Sequence, residues 1–302
     1  MNQIPIQQNT QKQLERLAAQ RELYSSAKSW HIAQIVTTVL IPVCLAIFSS
    51  LKPEFATYGA IFGVFSFILD ISIVEPEIYK KKTKAAKIQE LFDCEVLQIP
   101  KSPLKTVDDI TVEEVLTHYN AHIKIRTNVE KIKDWYSPLV GQLSIKTARI
   151  LCQRTNCWWD SKLRNRFSNF LKYSSILIFM SLLILSYMAD LTLMEFTLIL
   201  STLVPFFQFC IKQSNDNKDT ANRLNELILY SIQVWNNALK NSCDDETMII
   251  DSRRLQDEIF EHRKKSPLIL NIFYKIFRDK DEDLMNRTTE ILVEEAVENN
   301  CQ

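Results

Sequence analysis

Charged side chains avoid four windows of the chain. From Ser29 to Leu51 no Lys, Arg, Asp or Glu occurs, and the centre of that window reads IVTTVLIPVCLAIF. Phe55 to Val74 is apolar apart from Asp70, Tyr173 to Ala189 carries no charge, and Leu191 to Ile211 carries only Glu195 near its start. A helix needs about 20 apolar residues to cross a ~30 Å hydrocarbon layer, and each window approaches that length. The pattern predicts an all-α membrane protein with four transmembrane helices in two hairpins. The competing reading, two buried helical hairpins of a soluble protein, requires apolar runs uncommonly long for a soluble core.

The connectors within the hairpins are short, KPE at Lys52 to Glu54 and little more than Asp190, so neither can hold a domain. Basic residues flank the other ends of the windows: Arg16, Arg21 and Lys28; Lys80, Lys81, Lys82, Lys84 and Lys87; Arg154, Lys162, Arg164, Arg166 and Lys172; Lys212, Lys218 and Arg223. The positive-inside rule then places both termini and the long central segment in the cytoplasm of a multi-pass protein. The expected organisation is a cytoplasmic N-terminal helix over 1–29, hairpin 1 over 30–75, a cytoplasmic helical segment over 76–170, hairpin 2 over 171–211 and cytoplasmic helices over 212–302. The polar N-terminal segment is too long for a signal-peptide n-region, so the first span is expected to remain as an anchor.

Within the cytoplasmic parts, EPEIYKKKTKAAKIQELFD continues out of the second span as a basic helix, and VLQIPKSPLKT is a proline-broken connector. TVEEVLTHYNAHIKIRTNVEKIKDWY follows as a helix, with Thr111 and Glu114 spaced as a capping box. After SPLVG a long helix is expected from about Ser144 into the third span. Beyond the fourth, Ala221, Leu224, Ile228, Trp235 and Ala238 recur in helical steps and form an apolar face that needs a partner. A helix ending at Pro267 and an acidic terminal helix complete the chain.

Composition narrows the function. The 36 basic residues balance the 36 acidic ones, so bulk charge points neither to a nucleic acid polymer nor to an acidic substrate. Three glycines, Gly59, Gly63 and Gly141, are too few for the glycine-rich loops that cradle phosphates. Cys44 and Cys210 fall inside spans; Cys94, Cys152, Cys157, Cys243 and Cys301 fall in the reducing cytoplasm, so no disulfide is expected. A zinc site at Cys152 and Cys157 lacks two further ligands nearby. His31, His118, His122 and His262 are scattered without a catalytic motif around them. Neither an enzyme nor a cofactor is expected.

Two groups of residues stand out as candidates. In the second span Gly59 and Gly63 form a small-x-x-x-small pattern that permits close helix approach and homo-oligomeric packing. With Ser66 and Asp70 they are candidates for helix packing and pore lining, because a carboxylate within a span is costly unless it faces protein or water. The second group lies in CQRTNCWWDSKLRNRF, Cys152 to Phe167. Asp160 precedes Arg164 by four residues, the favourable order for a helical pair, and Arg154 and Trp158 share that spacing and can stack. Arg154, Trp158, Trp159, Asp160 and Arg164 are candidates for a sensor or coupling joint, with Trp159 as a stacking surface. A membrane-proximal collar of tryptophans and cations accounts for part of this stretch without special function. YKKKTKAAK, Tyr79 to Lys87, has the charge to approach anionic cytoplasmic lipid.

Taken together, ELFDCEVLQIP at Glu90 to Pro100, DWYSP at Asp134 to Pro138, CQRTNCWWDSKLR at Cys152 to Arg164 and RLQDEIFEHRKKSPL at Arg254 to Leu268 resemble the SMODS-associated four-transmembrane (S-4TM) effectors, pore-forming proteins of bacterial anti-phage systems. The stretches fall in the family's order around its two membrane hairpins. The resemblance implies a protein of the bacterial inner membrane that acts beside a nucleotidyltransferase making cyclic oligonucleotides. On infection it would permeabilise the bilayer, so that the cell dies before phage matures. A membrane-anchored scaffold that recruits partners without forming a pore is the alternative.

Overall fold

Every regular element among the described residues is helical, as the apolar spacing predicts. The computed structural model describes residues 2–51, 55–104, 107, 109–124, 132–188, 190, 192–240 and 244–300. The Lys52 to Glu54 connector, Cys243 and Cys301 lie outside the described residues.

A short helix, α1 (Ile4–Gln7), precedes α2 (Gln11–Ile35), which passes through a π-helical turn at Val36–Leu40 into α3 (Ile41–Leu51). α4 (Phe55–Leu69) passes through a matching π-turn at Asp70–Val74 into α5 (Glu75–Val96), and the two composite helices pack antiparallel, α3 on α4 and α2 on α5. A π-turn leaves backbone groups out of the regular ladder. Ser66 donates to the Thr37 carbonyl at 3.0 Å, a carbonyl whose π-type donor position, five residues on, is Pro42 and has no N–H.

Next come α6 (Val112–Ile123) and a 3₁₀ turn at Pro138–Gln142. The Thr111 hydroxyl accepts from the Glu114 amide at 3.2 Å, so the predicted cap forms, but the Glu114 carboxylate pairs with Lys84 instead of returning to the cap. α6 ends at Ile123 with Lys124 in a turn, residues 125–131 lie outside the described set, and Asp134 to Ser137 of DWYSP are not helical. Asp134 sits at φ 50°, and Ser137 precedes a proline, which disfavours the α conformation there.

α7 (Ile145–Met188) is one unbroken helix of 44 residues, starting where the sequence predicts and running into the third apolar window. Asp190, at φ 49°, follows it at the hairpin tip, and α8 (Leu193–Thr202), α9 (Val204–Leu239), α10 (Asp245–Lys265) and α11 (Asn271–Asn300) follow in turn. The fourth window is therefore not one continuous helix. It breaks at Leu203, just before Pro205, whose missing N–H and ring interrupt the ladder. Two helical stretches, Gln11–Leu45 and Ile145–Met188, are long and apolar enough to cross a membrane by length and composition. α4 carries the second window and exposes Ile61, Val64, Phe65, Phe67 and Ile68.

α7 and α9 run antiparallel along a seam of small and polar residues. Ser168 and Ser214 donate to each other's backbone carbonyls at 2.8 and 3.0 Å, and Ser161 donates to Asn225 at 2.7 Å. Small side chains let the backbones approach, and hydroxyls then reach across. Around this pair α2, α5, α10 and α11 complete the polar half of the molecule. Its main core joins Leu14, Leu17, Phe92, Leu97, Tyr136, Ile150, Leu151 and Trp235. The apolar face expected on α9 finds its partners within the chain, with Leu224 packed on Cys157, Leu255 and Ile259.

Candidate functional site

Asp93 is fully buried on α5, an arrangement tolerable only where each lone pair is used. One oxygen accepts from the Tyr136 hydroxyl at 2.7 Å; the other accepts from Gln256 Nε2 at 2.8 Å and Arg263 at 2.5 Å. One turn earlier Glu90, also buried, accepts from Arg253 at 2.6 Å and from Gln256 at 2.8 Å. Gln153 of α7 closes the circuit, donating to the Gln256 side-chain oxygen at 3.0 Å and to the Ser252 carbonyl at 2.9 Å. Arg253 also donates to the Pro100 carbonyl at 2.9 Å. Sequence motifs that lie far apart along the chain thus meet in one buried network joining α5, the Pro138 turn, α7 and α10.

A second cluster lies farther along α7. Arg164 donates to Asp160 at 3.0 Å, the predicted helical pair, and also to Asn217 of α9 and the Pro267 carbonyl, each at 3.0 Å. His262 Nε2 hydrogen-bonds the same Asp160 oxygen, and the Ser266 hydroxyl lies 3.0 Å from His262 Nδ1. Burial alone would raise the Asp160 carboxyl. The Arg164 charge and the hydrogen bonds from His262 and Arg164 outweigh that and hold it well below the usual carboxylate range. Burial pushes His262 down against the pull of Asp160, so the imidazole is neutral and donates its Nε2 proton. The order Ser266, His262, Asp160 is formally that of a hydrolytic triad. However, the serine hydroxyl also reaches its own helix's His262 carbonyl at 2.5 Å, and all three side chains are at least largely enclosed. This is the chemistry of a rigid joint.

The candidate residues divide between these surroundings and the apolar region. Asp160 and Arg164 form the second cluster. Lys162 lies over the Trp158 ring, 5.8 Å from its centroid. Trp159 packs against Tyr274, their ring centroids 4.9 Å apart. Arg154 and Trp158 line a partly open cleft of about 70 Å³ against Met285 and Thr288 of α11. Ser66 of α4 and Asp70 of the π-turn after it face the first composite helix of the same chain, where Asp70 accepts from Gln34 at 2.8 Å. Gly63 has nothing within 4 Å of where a Cβ would stand, so among the described residues no helix packs closely on it. Gly59 lies on the same helix.

Sequence reasoning missed Glu90, Asp93, Tyr136, Arg253, Gln256, His262 and Arg263 as site residues. A carboxylate repeatedly placed on the apolar face of a helix, as Asp93 is beside Phe92 and Val96, is the trace they leave in sequence.

The sequence profile of the SMODS-associating 4TM effector domain matches residues 2–292. A protein of Bacillus cereus (strain VD146) described as "Probable CBASS effector molecule" is 26% identical over 289 residues, covering 92% of this chain and 94% of its own length. No solved structure matches.

Proposed function

The chain belongs to the SMODS-associating 4TM effector family, and from that premise we propose that it is an anti-phage defence effector that permeabilises the bacterial inner membrane when an infection signal reaches its cytoplasmic module. In this reading the signal is a cyclic oligonucleotide made by a partner nucleotidyltransferase. The four apolar windows cross the bilayer as two hairpins, both termini are cytoplasmic, and copies of the chain assemble through α4, with Gly59 and Gly63 at the packing face. No catalysis and no cofactor are involved.

The observation that carries the reading is the continuity of α7. The helix that holds Gln153 in the buried network and Arg164 in the second cluster is the same helix that carries the third apolar window. A rearrangement of either cluster therefore moves a membrane segment without an intervening flexible joint, the arrangement a rigid-body switch needs.

The test is leakage from dye-loaded liposomes containing the purified full chain, challenged with a panel of cyclic di- and trinucleotides. Release with one nucleotide and not with the others is the expected result. Absence of release with every nucleotide, in protein whose helix content is intact, overturns pore formation and favours a membrane-anchored scaffold that recruits partners.

A further inference from the structure

The corner between α10 and α11 touches the ends of all four apolar windows. Lys28, one residue before the first window, donates to Asn271 Oδ1 at 2.6 Å. Tyr79, five residues past the second, has the Lys264 ammonium 5.9 Å from its ring centroid. Phe170, three residues before the third, meets the Phe273 ring at 4.8 Å between centroids. Cys210, at the end of the fourth, is buried in one cluster with Ile269. Four contacts of different chemistry thus hold the corner at one level, the border where apolar sequence gives way to charged.

One side of α11 is committed to the fold. Besides Phe273, Tyr274 packs on Trp159, Phe277 lies 4.9 Å beneath the Arg166 guanidinium, and Asp281 accepts from Arg166 at 2.5 Å. The opposite side carries Ile272 and Ile276, one turn apart, 62% and 65% exposed. They belong to LILNIFYKIF, Leu268 to Phe277, in which Lys275 is the only charged residue. Exposed Phe170 and Tyr173 continue the apolar surface toward the third window, and Lys172, Lys212 and Lys275 are exposed around it. A contiguous apolar patch rimmed by cations is what an anionic leaflet attracts.

We propose that the α10–α11 corner is a membrane-surface anchor that inserts Ile272 and Ile276 into the headgroup layer of the cytoplasmic leaflet. The level decides the occupant: a face held at the ends of four membrane windows meets headgroups before it meets another protein. α11 runs back along α7, from Phe273 at Phe170 to Leu292, which lines one cleft with Leu151. Depth therefore falls with residue number. The headgroup layer is about 5–7 Å deep on each side, and Ile276 stands ~6 Å above Ile272 along the helix axis, so both fall within it. Leu284, exposed on the same helix but ~18 Å from Ile272, falls outside. The inference rests on the bilayer placement of the four windows proposed above, and not on pore formation or on the signal.

The test is photo-cross-linking of the full chain in nanodiscs of phosphatidylcholine and phosphatidylglycerol. Benzoylphenylalanine is placed singly at Ile272, Ile276, Leu284 and, within the third window, the exposed Leu177, and adducts are read by mass spectrometry. Lipid adducts are expected at Leu177, Ile272 and Ile276, with the yield at Ile272 at least about tenfold that at Leu284. Lipid adducts at Leu177 but at neither isoleucine, or equal yields at Ile272, Ile276 and Leu284, overturn the anchor and leave the membrane reading standing. No lipid adduct at Leu177 overturns the membrane reading, and the anchor with it. Cross-links from Ile272 to a second copy in place of lipid assign the face to an interface between copies and also overturn the anchor. Should either isoleucine variant not fold, Lys275, exposed on the same side of the helix, carries the probe.

Discussion

Replacing Asp93 with alanine withdraws three hydrogen bonds at once from a point with no exposed surface. The losses are unequal. Gln256 keeps Glu90 as an acceptor at 2.8 Å, so its amide remains satisfied. The Tyr136 hydroxyl still accepts from Asn156 at 3.2 Å but has nowhere to place its own proton, at about 1 kcal/mol. Arg263 bears the main cost, because its side chain is only 10% exposed and Asp93 is its only ion-pair partner among the described residues. Stranding a buried charge costs about 3–5 kcal/mol, so a total of about 4 kcal/mol is expected, equivalent to an opening constant raised by about a thousandfold. Cys94 and Cys152 are buried free thiols beside the network and report opening without global unfolding. Peptide-resolved mass spectrometry of their labelling by a thiol reagent, in native detergent-solubilised protein, reads the change directly. In Asp93→Leu/Arg263→Met the charge is no longer stranded, and labelling should fall back by at least about tenfold relative to Asp93→Ala. Acceleration below tenfold in Asp93→Ala would refute the assignment of Asp93 as the centre of the network.

Asp70→Asn should change the conductance of the assembled protein in planar bilayers; unchanged conductance and toxicity in otherwise active protein would remove Asp70 from the pore. Gly63→Leu meets open space within one chain, so thermal stability of the solubilised monomer should shift by less than about 0.5 kcal/mol while cross-linked oligomers are lost. Equal oligomer yield would place the subunit contact elsewhere. For Lys82, burial lowers the folded-state value from 10.5 to about 8, so the unfolded chain binds the extra proton between those limits. The excess stability of Lys82→Met over wild type should therefore be full below pH 8 and shrink as pH rises to 10.5, measured by paired denaturant titrations. For His262 the direction is also downward from 6.5, so the histidine's contribution is present above pH 6.5 and lost on acidification below it. His262→Gln should flatten the wild-type decline in melting temperature between pH 6.5 and 5.

The helical class, the start of α7 and the Asp160–Arg164 pair were legible because each depends on local spacing: apolar runs, a cap, four residues on one helix face. The Asp93 network was not, since its partners Gln256 and Arg263 lie 163 and 170 residues away and no periodicity links them. The four stretches that carried the family resemblance marked the right places without revealing that they converge. Lys162 over the Trp158 ring was likewise not read from the spacing, which pointed to Arg154. The paired π-turns and the break at Leu203 depend on how two helices meet and on where Pro205 falls within an otherwise apolar window.

The length of α7 carries one more consequence. At about 1.5 Å per residue its 44 residues extend ~66 Å, while the hydrocarbon layer takes up ~30 Å. With a fulcrum at the headgroup level, the helix is a lever whose inner and outer arms differ little, roughly 36 against 30 Å. If the helix crosses the bilayer as proposed, that fulcrum lies near residue 168, about 22 Å from Gln153 and about 6 Å from Arg164, so a sideways movement of either would reappear at the far end with the opposite sign, little amplified from Gln153 and about fivefold amplified from Arg164. The network at Gln153 would thus pass on displacement and force together, whereas the Arg164 cluster would trade force for travel.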